Sequence, residues 1–190
     1  IQNPLSGVPE HEDLCYRAAR LLQEAAAVKQ HGVDIALEKR LPMGGGLGGG
    51  SSDAATVLVA LNHLWGCGLS RQNLQELGLQ LGADVPVFIF GHNAFAEGVG
   101  EALRPVDLPA AWYVVLEPPV SVPTATIFGD PNLCRDTPRI NPDHWQSAQV
   151  HNDLEPVACH HFPVVAEYLA WLGQFAPACM SGSGACVFAA

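Results

Sequence analysis

Apolar and polar positions fall into two periods along this chain, and the switches between them predict its elements. Over residues 9–29, Leu14, Ala18, Leu21, Leu22 and Ala25 lie on one stripe with Arg17, Arg20 and Glu24 outside it, as in an amphipathic helix. Gly32 ends that pattern, and residues 33–38 alternate with a period of two, as a half-buried strand does. Ala54, Ala55, Val57, Leu58, Leu61 and Leu64 restore the helical spacing, so a helix is expected from Ser52 to the glycines at 66 and 68. Ser70 is the expected cap of another, which carries Leu74, Leu77, Leu79 and Leu81 and stops at Gly82. Strands are expected over 94–96, 112–116 and 186–188, a turn over 98–101 and a helix over 169–175. Residues 129–150 are polar and proline-rich and read as loop, and Asn152 is the expected cap of a short helix through Glu155.

Between the alternating stretch and the helix at Ser52 runs Leu41-Pro42-Met43-Gly44-Gly45-Gly46-Leu47-Gly48-Gly49-Gly50-Ser51-Ser52-Asp53-Ala54-Ala55. Six of the seven residues from 44 to 50 lack a Cβ, which admits positive φ and lets backbone N–H groups approach something closely, above all at Gly46, Gly48 and Gly49. A glycine loop entering a helix N-terminus gathers free amides and the positive end of the helix dipole, so it predicts an anion site, and the usual anion is phosphate. The P-loop pattern fails, because the position that needs Lys holds Gly50 or Ser51. The dinucleotide pattern is met formally by Gly44, Gly46 and Gly49, a match that is nearly free in so glycine-dense a run. Pro42 interrupts its strand-to-turn junction, and no acid lies about 20 residues further on. A flexible linker is not bounded by Leu41-Pro42-Met43 and an amphipathic helix. A phosphate cradle of the form Pro-x-Gly-x-Gly-Leu-Gly-(Gly-Gly)-Ser-Ser-x-Ala remains.

That form, from Pro42 to Ala55, resembles the second motif of the GHMP kinases. Four further stretches agree, in the family's order: Leu81-Gly82-Ala83-Asp84-Val85-Pro86-Val87-Phe88, Ala96-Glu97-Gly98-Val99-Gly100-Glu101, Asn152-Asp153-Leu154-Glu155-Pro156-Val157 and Ser181-Gly182-Ser183-Gly184-Ala185-Cys186-Val187-Phe188. The resemblance implies a small-molecule kinase that moves a phosphoryl group from ATP to a hydroxyl. The extra glycines and Asp53 bring it nearest to members acting on the 2-hydroxyl of 4-diphosphocytidyl-2-C-methyl-D-erythritol, in non-mevalonate isoprenoid precursor biosynthesis. A homoserine or mevalonate type of acceptor, or a nucleotide-binding fragment without catalysis, stands as the alternative.

The same resemblance implies a two-domain α+β fold. A ribosomal protein S5-like N-terminal domain is expected over 1–106 and a ferredoxin-like C-terminal domain over 107–190, joined in the proline-rich stretch 104–109. Both are expected to be incomplete, since the family's first motif, Pro-x-Lys-x-Asn-Leu, is nowhere in these residues. Its lysine would pair with the catalytic carboxylate; the closing helix and strand of the family are also expected to be missing. By resemblance ATP is held by Pro42, Met43, Gly44, Gly45, Gly46, Leu47, Gly48, Gly49, Gly50, Ser51 and Ser52, with Mg²⁺ neutralising charge between the β- and γ-phosphates and no metal ligand assigned.

Asp84 takes the place of the general base and so touches the acceptor. As a lone carboxylate in an apolar segment it is costly to bury unpaired, and such a residue is otherwise a cap or a turn. Thr124 and Phe128 are implied to face the methylerythritol and cytosine end of the substrate; without the resemblance, an aromatic there is more often core than a base-stacking platform. Gly182 and Ser183 belong to the third motif, implied to pack beside the glycine loop and to face the phosphates and substrate. Asp13 precedes Leu14 where the family has an Asn that reaches adenine, and it would serve equally as an N-cap. Lys39, beside Arg40 at the loop's entrance, either steadies the nucleotide or is solvated charge. The stretch from Asn152 is given no catalytic role.

Composition narrows the partners. At 190 residues and 48% hydrophobic content the chain can bury a sizeable core in one or two domains. Its net charge of −10 argues against nucleic acid and membrane surfaces, so phosphates must be met by local amides and a few cations. The expected partner is a small molecule and the expected state a monomer or weak homodimer. Six cysteines without C-x-x-C spacing read as reduced residues of a cytoplasmic protein, and no apolar run nears about 20 residues. The eight histidines show no metal spacing, and His160-His161 read as surface residues pointing apart.

Overall fold

The first stripe folds as α1, Leu14–Ala25, behind a single 3-10 turn at Glu10–Glu12. Asp13 sets its start: Oδ1 accepts the amides of Cys15 at 2.8 Å and Tyr16 at 3.3 Å. The helix is therefore shorter than the expected 9–29. A computed structural model describes residues 1–2, 7–28, 30–144 and 150–190, so Lys29 and part of the loop expected over 129–150 lie outside the described residues.

The strand expected over 33–38 is absent. Ile35 and Leu37 are half-buried and their neighbours exposed, so the alternation is real. Its only pairing among the described residues is one parallel bridge, Ala36 with Gln2. Periodicity reports which side of a segment is covered; a strand also needs a ladder of partners.

α2, Gly49–Leu64, begins three residues before Ser52, because Gly48 at φ 69° is already its N-cap. Ser70 caps α3, Arg71–Leu79, as expected, in a reciprocal box with Asn73. α4, Val85–Phe90, ends at Gly91 in the left-handed conformation. Leu22, Leu58, Leu61, Leu74, Val85 and Ile89 bring these four helices onto one core. A two-stranded antiparallel ribbon, β1 (Ala94–Glu97) and β2 (Ala102–Pro105), sets Phe95 opposite Arg104. These elements belong to one unit, Ile1–Arg40 with Gly48–Leu108.

The second unit is Leu41–Leu47 with Pro109–Ala190. Its antiparallel sheet holds β3 (Val114–Leu116), β4 (Ala178–Met180) and β5 (Val187–Ala189) in the order β3-β5-β4, with Phe188 paired to both Val115 and Cys179. Three helices pack with it: α5 (Thr124–Gly129), α6 (Glu155–His161) and α7 (Pro163–Leu172). Ile127, Val157, Val165, Leu172, Met180 and Val187 fill the core between them. The helix expected over 169–175 thus starts six residues earlier, at a proline whose fixed φ suits the first helical position, and stops before Gly173. The helix expected through Glu155 starts there instead of ending there.

His160 and His161 do not simply point apart into water. Their rings meet edge to face, and His161 Nε2 lies 2.6 Å from Oδ2 of Asp130, a carboxylate only 8% exposed. With the Asn132 amide on Oδ1, the His161 bond holds the Asp130 carboxyl below its ordinary value. All six cysteines are unpaired; burial, with the charge of Asp13 nearby, pushes the Cys15 thiol up to about 12.

Candidate active site

Glycine frees the backbone of residues 44–46 to run beside the turn at 181–186, inside the second unit. Gly44 O accepts the Ala185 amide at 3.2 Å, and Gly45 O accepts the Cys186 amide at 3.1 Å. The Ser181 hydroxyl donates to Gly46 O at 2.8 Å. Gly46 sits at φ 72°, and a Cβ there would run into the Ser181 carbonyl. Only glycine meets both demands. The two small-residue motifs read from the sequence are therefore brought together, and Ser181 joins the candidate residues although the sequence reading leaves it out. A hydroxyl at the mouth of a glycine turn, free to reach a neighbouring carbonyl, was the available signal.

Leu47 leads directly into Gly48 and α2. No side chain caps this N-terminus, and Gly49, Gly50, Ser51 and Ser52 form its first turn. The loop itself is Leu41–Leu47 plus Gly48, with Gly49 and Gly50 already helical. Pro42 and Leu47 are half-buried and Met43 is 54% exposed.

Lys39 is not solvated charge. Its Nζ lies 2.7 Å from Oδ2 of Asp53 on α2, so the cation at the loop's entrance answers the carboxylate within the glycine motif. Asp13 spends one oxygen on the α1 cap and is 6% exposed. Asp84 holds the N-cap position of α4 without a side-chain cap bond, and it is exposed. The burial penalty expected for a lone carboxylate does not arise.

Thr124, at the start of α5, lies with Oγ1 3.0 Å from the Ser183 hydroxyl, which gathers two of the expected substrate residues. Phe128, on the same helix, is 54% exposed and is not core. Gly182 directs its carbonyl to the Asn152 side chain. Among the described residues no three His, Cys, Asp or Glu come together to hold a metal ion, and no helix is long and apolar enough to cross a membrane.

The model of the GHMP kinases N terminal domain matches residues 13–92. The 4-diphosphocytidyl-2-C-methyl-D-erythritol kinase of Dechloromonas aromatica (strain RCB) is 64% identical over 190 residues, all of this chain and 69% of the relative. That of Thiobacillus denitrificans (strain ATCC 25259 / T1) is 62% identical over 188 residues, 99% of this chain and 67% of the relative. A crystal structure of 4-(cytidine 5'-diphospho)-2C-methyl-D-erythritol kinase superposes with a TM-score of 0.78 at 38% identity, covering 99% of this chain and 70% of that one. With such identity kept along its whole length, and the glycine motifs in place, the chain belongs to the 4-diphosphocytidyl-2-C-methyl-D-erythritol kinases of the GHMP kinase family.

Proposed function

We propose that this chain phosphorylates the 2-hydroxyl of 4-diphosphocytidyl-2-C-methyl-D-erythritol with ATP, in isoprenoid precursor biosynthesis. The lacing of residues 44–46 to the 181–186 turn carries the reading. It holds a glycine backbone rigid just ahead of an uncapped helix start, which is what amides need to bind phosphate oxygens. The names of the relatives support the acceptor.

The residues from Pro42 to Ser52 hold the nucleotide phosphates. Transfer depends on positioning and charge stabilisation more than on covalent chemistry by the protein. The acceptor oxygen forms its bond to the γ-phosphorus as the bond to the bridging oxygen breaks; ADP leaves with that electron pair and Asp84 takes the hydroxyl proton. Thr124, Gly182 and Ser183 hold the acceptor, and the exposed Phe128 ring offers a face to its cytosine. Lys39 acts in its pair with Asp53, fixing the loop's entrance, and Asp13 offers adenine the oxygen that its cap leaves over. Mg²⁺ would arrive on the nucleotide and neutralise its phosphates, a mode that needs few protein carboxylates. We further propose domains over 1–106 and 107–190, a cytoplasmic location, and a monomer or weak homodimer.

The test is ADP release with the diphosphocytidyl substrate, homoserine and mevalonate offered in turn, for wild type and Asp84→Asn. Turnover is expected only with the first. Asp84→Asn should lower kcat roughly 10²–10⁴-fold with ATP affinity unchanged. Turnover of another acceptor alone would replace the substrate, and near-normal kcat in the variant would remove the base. ATP binding without any turnover would leave a nucleotide-binding module.

A further inference from the structure

Asn152 and Glu155 lie in a stretch to which the sequence gives no chemical role, yet their side chains reach the third motif. Asn152 Nδ2 donates to Met180 O at 2.9 Å and to Gly182 O at 2.7 Å. Its Oδ1 accepts the Leu154 amide at 3.0 Å. Glu155 Oε2 accepts the Met180 amide at 2.8 Å. Both amide hydrogens of Asn152 are therefore used, one on each side of Ser181. Ser181 in turn donates to Gly46 O. Gly182, beside it, packs close to the loop: a Cβ there would stand 3.2 Å from Gly46 O.

We infer that Asn152 and Glu155 are positioning residues for the nucleotide-phosphate loop, acting on Gly46 through the Met180-Ser181-Gly182 turn. The inference rests on the assignment of residues 44–46 to the phosphates. Asn152 does little as a helix cap, because α6 starts three residues later and two of its three bonds go to the turn. A turn held on both flanks keeps the Ser181 hydroxyl aimed at Gly46 O before nucleotide arrives. That spares the ordering cost at binding and appears in the affinity for ATP. The acceptor's affinity should move less.

The purified protein is compared with Asn152→Asp, Glu155→Ala, Glu155→Gln and Gly46→Ala by ATP calorimetry, KM for each substrate and thermal melting. Asn152→Asp keeps the acceptor for Leu154 but loses both donors and turns charge onto two carbonyls. It should raise the ATP KM about tenfold, with the acceptor KM nearly unchanged. Glu155→Ala should raise the ATP KM several-fold, and Glu155→Gln, whose amide oxygen still accepts the Met180 N–H, should restore it. A fall in melting temperature with the ATP KM within twofold of wild type would overturn the inference, as would a Glu155→Gln variant as weak as Glu155→Ala. Weak ATP binding in Gly46→Ala beside normal binding in Asn152→Asp refutes this positioning role alone; normal binding in both refutes the loop assignment beneath it. If Asn152→Asp does not fold, the Glu155 pair decides by the same measurements.

Discussion

Gly46→Ala puts one methyl group where the structure leaves no room. At φ 72° an alanine carries a backbone cost of about 1–2 kcal/mol. Its Cβ would overlap the Ser181 carbonyl and stand 3.0 Å from Gly184 O. Both obstacles are backbone and cannot swing aside, so the loop must withdraw. Withdrawal gives up the bonds from Ser181 Oγ, Ala185 N and Cys186 N, each worth about 0.5–1.5 kcal/mol net. Either route amounts to roughly 2–4 kcal/mol against the laced loop, so the binding-competent form falls about 30-fold or more. Calorimetry should show ATP weakened by that factor, while a urea midpoint reports the stability lost. Gly48→Ala, at φ 69°, carries the same backbone cost but is the milder change, since its Cβ meets ring atoms of Phe88 at 2.8 and 3.0 Å, and a side chain can turn away. ATP affinity within threefold of wild type in Gly46→Ala, with an unmoved midpoint, would refute the reasoning.

Two further outcomes follow from side chains outside the loop. Asp13→Ala removes the acceptor for two α1 amides and should cost about 0.5–2 kcal/mol in urea unfolding, whereas Asp13→Asn, which keeps an acceptor, should stay near wild type; equal losses in both would refute the cap. Because the His161 bond holds folded Asp130 below its ordinary 3.8, the pair's contribution is complete above that value and is lost as pH falls through the lower folded one. His161→Ala should therefore be less stable than wild type near neutrality, with urea midpoints converging in acid, and a gap unchanged by acid would refute the linkage.

Local signals carried much of the fold. The α1 and α2 stripes, the Ser70 cap and the two small-residue motifs were legible because each is written in neighbouring residues. The missing strand at 33–38 shows the limit, since a period of two names a covered side and says nothing of a partner. Pro163 and Gly173 bound α7, punctuation that the expected 169–175 leaves unused. In the site, Asp84 falls exposed at the start of α4, the cap position that its sequence context allows, and Phe128, which the sequence leaves open to a place in the core, is exposed. Exposure depends on what packs from afar. The Ser181–Gly46 bond joins residues 135 positions apart, and the Lys39–Asp53 pair, though only 14 apart, crosses from one element to another, so neither follows a local period along the sequence.

The order β3-β5-β4 also dictates when this protein can fold. β5 is the central strand of its sheet, yet it follows both neighbours in the chain. On the ribosome, Val114 and Val115 must emerge and wait, without ladder partners, until residues 187–189 have been made. Slow non-local pairing of this kind leaves an apolar edge open to other nascent chains, a task for chaperones. The glycine loop waits as well, for Ser181. The glycine loop is thus among the last segments to take its shape, and a synthesis that stalls early would release a chain in which it had never formed.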